Sequence, residues 1–134
     1  MTLGVRGSVE RSDGKILLVR HVYTPGWYLP GGGVEKGETA ETALGRELQE
    51  EAGIELIGQP SLVGIYSNHA VFPNDHVILY RISPERWQSC DSNHAGEIAE
   101  IDWFDPAEPP PGATLGTLRR LANLYHGAAD SHFW

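Results

Sequence analysis

Cysteine is nearly absent: Cys90 is the only one in 134 residues. That excludes an intramolecular disulfide and fits a thiol kept reduced in the cytoplasm. Long apolar runs are missing too. No stretch of eighteen apolar residues occurs, so no membrane-spanning helix is expected. The opening Met1-Thr2-Leu3-Gly4-Val5-Arg6 has no basic segment leading into an apolar one, and no signal peptide is expected. Basic charge is scarce. Ten Lys and Arg stand against eighteen Asp and Glu, a net charge of −8. Such a balance disfavours long nucleic acid, which needs clustered cations. It does not exclude a small phosphate ester. Carboxylates hold divalent cations and the cations meet phosphate, so part of the acid excess can be a metal site counted without its metal.

What is present suits one folded domain over residues 1–134. Apolar residues make up 40%, enough for a packed interior. Leu3 to Val9 and Lys15 to Arg20 read as strands, and the turn chemistry of Arg11-Ser12-Asp13-Gly14 predicts a hairpin between them. A loop from His21 to Pro30 leads to Gly31-Gly32-Gly33. Thr39 to Ala52 reads as a helix stopped by Gly53, with its N-cap boundary at Gly37 or Glu38. Strands are expected in Ile54 to Tyr66, broken near Gly58-Gln59-Pro60, in His76 to Ser83, and in Glu97 to Phe104. A Pro-rich connector, Asp105 to Gly112, precedes a helix from Thr114 to Tyr125. Leu115, Leu118, Leu121, Ala122 and Tyr125 there follow helical spacing. Gly127 to Trp134 reads as a flexible tail or an oligomer contact. There is no internal repeat. This order of elements predicts an α/β (α+β) fold with a mixed sheet.

The first helix carries the chemistry. At 100° per residue, Glu47, Glu50 and Glu51 fall within an arc of about 100°. Like charges at these spacings cost a few tenths of a kcal/mol per pair, roughly. A hard divalent cation turns the repulsion into attraction. Leu44, Leu48 and Ala52 form an adjoining apolar stripe, so the acids face a cleft beside a buried edge. Arg46 precedes Glu50 by four residues and is placed to pair with it bidentately.

The segment GGVEKGETAETALGRELQEEAGI, Gly32 to Ile54, resembles the full Nudix box of MutT-like hydrolases. Gly32, Glu38, Arg46, Glu47, Glu50, Glu51 and Gly53 stand at its fixed positions. Seven fixed letters at roughly 7% each give a chance match of about 10⁻⁸ per start position. The resemblance implies a Nudix-type α/β/α sandwich with a central loop-helix-loop and hydrolysis of a nucleoside diphosphate linked to another moiety. It implies Mg2+ or Mn2+ held by Glu47, Glu50 and Glu51, with the Gly32 carbonyl as a further ligand. Glu38 then sits behind the ligands and helps hold Arg46. The diphosphate would bridge two or three ions, with water attacking phosphorus in line. Glu50 competes with Glu97 or Glu100 as general base; Glu50 is favoured, with Glu97 as supplementary ligand or base.

Around the box, Arg20, His21, Trp27, Tyr28 and Tyr66 are candidate substrate contacts, with His69 and Phe72 beside the last. Trp27 and Tyr28 read equally as packing residues. His76 and His94 read as exposed or satisfied histidines, and no zinc site is expected. Trp103 and Phe104 read as core, and Pro109 to Pro111 as a rigid connector. The family's Pro or Tyr marker for ADP-ribose or dinucleoside polyphosphates is absent, since Ala70 and Val71 stand there. Nothing around the box marks coenzyme A or NADH. A nucleoside triphosphate or small nucleoside diphosphate derivative is the expected partner, with a homodimer as a common assembly for such folds. The competing reading is a non-catalytic Nudix-like sensor of a nucleotide metabolite; the complete acid set argues against it.

Overall fold

The computed structural model describes residues 1–92 and 98–134. In chain order these form β1 (Thr2–Val9), β2 (Ile16–His21), β3 (Trp27–Tyr28), β4 (Gly31–Gly33), α1 (Ala40–Ala52), β5 (Ile54–Leu56), β6 (Ser61–Ser67), β7 (Asp75–Ile82), β8 (Trp87–Ser89), β9 (Ile98–Phe104) and α2 (Leu115–Tyr125). A mixed sheet has the order β4-β1-β7-β6, with β1 parallel to β7 and the other pairs antiparallel. An antiparallel sheet β3-β2-β9 and a small β5-β8 pair complete the strands.

Strand β7 shows how the layers arise. Successive strand residues point to opposite faces. Ile78, Tyr80 and Ile82 join a core built with Leu44 and Leu48 of α1. Leu79, one residue out of phase, joins a second core with Leu121 of α2. The mixed sheet is therefore covered on both faces, the α/β/α arrangement expected. Helix α1 starts at Thr39, whose hydroxyl accepts the Thr42 amide, and ends at Gly53 in the left-handed region, φ 63°. The N-cap is thus Thr39 rather than Gly37 or Glu38.

The structure corrects three other expectations. The first two strands are not a hairpin: they bridge only at Glu10 and Ile16, then diverge into different sheets. β1 instead pairs along its whole length with β7 and at its middle with β4, and β2 pairs with β9. Leu115 and Leu118 are exposed despite their spacing; α2 buries Gly116, Thr117, Arg120 and Leu121 instead. The stripe is turned because Arg120 lies over the Tyr66 ring, 4.0 Å from its centroid. The tail from Gly127 is docked. Ser67 donates its amide to the His132 carbonyl at 2.7 Å, and the Trp134 amide donates to the Ser67 carbonyl at 2.9 Å. Backbone groups at the open edge of β6 thereby find partners.

Candidate active site

Helix α1 presents its acids at three depths. Glu51 is 5% exposed, beneath the glycine turn, where its Oε1 accepts the Gly31 amide at 2.7 Å. Glu47 is less buried and its carboxylate lies over Gly32: a Cβ there would come within 2.5 Å of Glu47 Oε1. Glu50 is the most open, with a side chain 46% exposed. The pleat of β4 and the pitch of α1 thus bring the glycine turn against the acid face.

Arg46 organises the loop around these acids. Its Nε donates to Glu38 Oε2 at 2.8 Å and its Nη2 to Glu38 Oε1 at 2.9 Å. Its Nη1 donates to Glu47 Oε1 at 2.9 Å, and Nη2 also donates to the Gly33 carbonyl at 3.1 Å. The bidentate partner is therefore Glu38; Glu50 stands at 3.5 Å from Nη1. Glu38 reaches Arg46 because its Oε1 also accepts the Glu35 amide, folding the loop before α1 back onto the helix.

Electrostatics follow from depth. Burial pushes the Glu51 carboxyl up to about 8, with Glu47 and Glu50 adding to the rise and Arg6 and the Gly31 amide opposing it. Burial also raises Glu47, against the Arg46 hydrogen bond. Arg46 holds Glu38 down at about 2 through its hydrogen bonds, and Arg11 does the same to Asp13 in the Arg11–Gly14 turn. These last two lie below their ordinary values, 4.5 and 3.8, so the stability they give is complete above that range. It disappears as pH falls toward about 2. The melting temperatures of wild type and Glu38→Gln should differ at pH 6 and converge on acidification to about pH 2; a gap that stays constant with pH would refute the assignment.

A cation fits this donor set. Two carboxylates, both raised chiefly by burial and further by their acidic neighbours, lie against a turn with no side chain at Gly32. As the side chains stand, no group of three His, Cys, Asp or Glu among the described residues closes on a single point. Arg46 meanwhile supplies the positive charge to Glu47.

Beside Gly32 and Gly33 opens a cleft of about 840 Å³. Tyr28 lines it, hydroxyl donated to the Pro25 carbonyl. His21 lies behind, edge-on to Tyr28 at 5.7 Å and with Nε2 at 3.6 Å from Glu51 Oε2. The other proposed contacts lie elsewhere. Tyr66 is 1% exposed, its hydroxyl donated to Asp130, which corrects its assignment to substrate. Trp27 packs edge-on against Phe104 at 5.0 Å within the second core. Arg20 is paired with Glu100 at 2.8 Å, which also engages the Glu100 carboxylate. Glu97 and His94 lie outside the described residues.

Sequence reasoning missed Arg6, Asn68, Asp75, Phe133 and Trp134, all of which line the cleft. Arg6 donates to the Leu29 carbonyl at 2.9 Å and lies over the Tyr28 ring. A lone arginine between Val5 and Gly7 in an otherwise uncharged strand was the available signal. Asp75 accepts the Thr2 hydroxyl at 2.6 Å and the Asn68 amide at 3.0 Å. Nothing local to its sequence marks it.

Known proteins match this arrangement. The NUDIX domain model matches residues 2–124. A MutT-like protein of Streptomyces ambofaciens is 42% identical over 124 residues, 92% of this chain and 71% of that protein. The 8-oxo-dGTP diphosphatase of Escherichia coli is 35% identical over 101 residues, 69% of this chain and 73% of that one. The crystal structure of a MutT NUDIX hydrolase from Burkholderia pseudomallei superposes with a TM-score of 0.77 at 26% identity, covering 92% of this chain and 97% of that one. The chain belongs to the Nudix hydrolase family.

Proposed function

We propose that this Nudix hydrolase, which cleaves a diphosphate linkage in a nucleotide compound, acts on a nucleoside triphosphate and releases a nucleoside monophosphate and pyrophosphate. A small nucleoside diphosphate derivative is the next candidate. The observation that carries this reading is the cleft: one cavity is lined both by Gly32 and Gly33, of the turn beside the acids, and by the aromatic rings of Phe72 and Phe133. Glycine backbone for phosphates and aromatic rings for a flat base suit a nucleotide. The name of the Escherichia coli relative favours the triphosphate.

Glu47, Glu50 and Glu51, with the Gly32 carbonyl, would hold magnesium or manganese. Once bound, the ion neutralises phosphate charge and acidifies the attacking water. The protein supplies the rest. Arg46, fixed by Glu38, orients Glu47. Arg6 offers a guanidinium to phosphate oxygen at the cleft wall. Glu50, the most exposed acid, takes the proton from water as the new oxygen–phosphorus bond forms and the bridging oxygen departs with pyrophosphate. Glu97 shares that role or adds a ligand. A cytoplasmic setting and a homodimer belong to the same proposal; among the described residues no helix is long and apolar enough to cross a membrane.

A panel of dGTP, 8-oxo-dGTP, ADP-ribose and nucleotide sugars, each with magnesium or manganese, tests it. Monophosphate and pyrophosphate from a triphosphate are expected. Turnover of ADP-ribose alone would overturn the substrate, and tight binding without any turnover would point to a sensor.

A further inference from the structure

The segment after α2 is more firmly anchored than its composition suggests. Besides its backbone bonds to Ser67, it is tied by Asn123, whose amide donates to the Ala129 carbonyl at 2.8 Å. Asp130 accepts the Tyr66 hydroxyl at 2.9 Å and stands 3.7 Å from the Arg120 guanidinium. Arg120 is 1% exposed and lies against the rings of Tyr66 and Trp134, at 4.0 and 5.4 Å from their centroids, while the two rings meet edge-on at 5.7 Å. The Trp134 indole rests on Gly116, where any Cβ would collide with Nε1.

This anchoring still leaves a ring of the segment open to solvent. Phe133, between the two bonded residues His132 and Trp134, is 68% exposed and lines the cleft. Phe72 is likewise exposed and lines it too. Two open aromatic rings share a cleft with the phosphate end at Gly32 and Gly33. An exposed phenylalanine held by backbone bonds on both sides gains nothing for the fold, and a planar base would cover it.

We infer that the segment after α2 supplies a wall of the nucleobase subsite through its two cleft-lining residues: Phe133 stacks on the base and Trp134, seated beside Arg120 and over Gly116, holds it in place. This rests on reading the cleft as a nucleotide site. It makes the terminal segment a determinant of substrate affinity rather than a tail. Stacking is indifferent to the hydrogen-bonding edge of the base, so Phe133 sets affinity for bases generally, and selection among them falls to polar groups such as Asn68 and Asp75.

Two measurements test the wall. In steady-state hydrolysis of dGTP, Phe133→Ala should raise KM about tenfold with kcat little changed, and Phe133→Tyr should restore the wild-type KM. Phe133 is exposed, so its removal leaves the fold standing. An unchanged KM, or a loss confined to kcat, overturns the inference. In the second, dGMP is titrated into the metal-free wild-type protein and followed by NMR. The Phe133 ring and the Trp134 indole should shift together with the Gly32 and Gly33 amides. Shifts at the glycines alone overturn the wall but spare the nucleotide reading; shifts at none of them overturn both.

Discussion

Replacing any one of Glu47, Glu50 or Glu51 with Gln is expected to cost at least about a hundredfold in metal-dependent turnover. Residues that only support metal ligands typically cost about ten- to a hundredfold, and direct ligands should exceed that. Glutamine keeps the volume and removes the charge, so the loss reports on charge alone. Stability should move differently. Glu51 is buried beside two like-charged neighbours, and a glutamine there can still accept the Gly31 amide. At pH 9, above the value of about 8 to which burial raises Glu51, metal-free Glu51→Gln should therefore melt no lower than the metal-free wild type, because a buried charge repelled by Glu47 and Glu50 has been removed. Activity and stability then part company at one residue, as is common where a site is built at the expense of the fold. Initial rates across a magnesium titration, paired with melting curves in EDTA, check both halves. Near wild-type turnover in one variant would remove that residue from the mechanism; a collapsed melting temperature for Glu51→Gln would show its carboxylate to be structural.

The helix and its acids were legible in the sequence because they are local. Period and the spacing of Glu47, Glu50 and Glu51 lie within the thirteen residues of α1, and the capping glycine, Gly53, follows directly. The sandwich followed from the resemblance to the Nudix box, and both faces of the mixed sheet are indeed covered by a helix. The substrate end of the site was far less legible. Asp75 meets Thr2 across 73 residues of chain, and Trp134 meets Gly116 through the packing of a segment with no periodicity. Such contacts are set by the parallel β1-β7 register and by the return of the chain after α2, which no local pattern encodes. Tyr66 was misplaced for the same reason. An alternating strand says that one face is buried without saying which, and the face carrying Tyr66 turned out to be packed beneath the terminal segment. Arg46 was read as the partner of Glu50 from its spacing along the helix; Glu38 wins because the preceding loop folds back and offers both oxygens.

Two adjacent glycines should separate fold from function. At Gly31 the backbone takes φ 153°, and a Cβ would run into the carbonyl of Val5 in the neighbouring strand. The collision is with backbone inside a sheet, so nothing can rotate away. Gly31→Ala should lose more than about 4 kcal/mol, the range reserved for such clashes, and little soluble protein should be recovered. At Gly32 the obstacle is different. A Cβ would meet the carboxylate of Glu47, the far end of a flexible side chain. Gly32→Ala should fold, with a melting temperature close to wild type, while Glu47 swings off the turn. Its loss should then mimic Glu47→Gln in turnover and in the magnesium concentration needed for half-maximal rate. Combining Gly32→Ala with Glu47→Gln tests the link directly, since changes acting through one carboxylate are not additive. A double variant no worse than either single one is expected; fully multiplicative losses would mean that Gly32 serves the site by some route other than making room for Glu47.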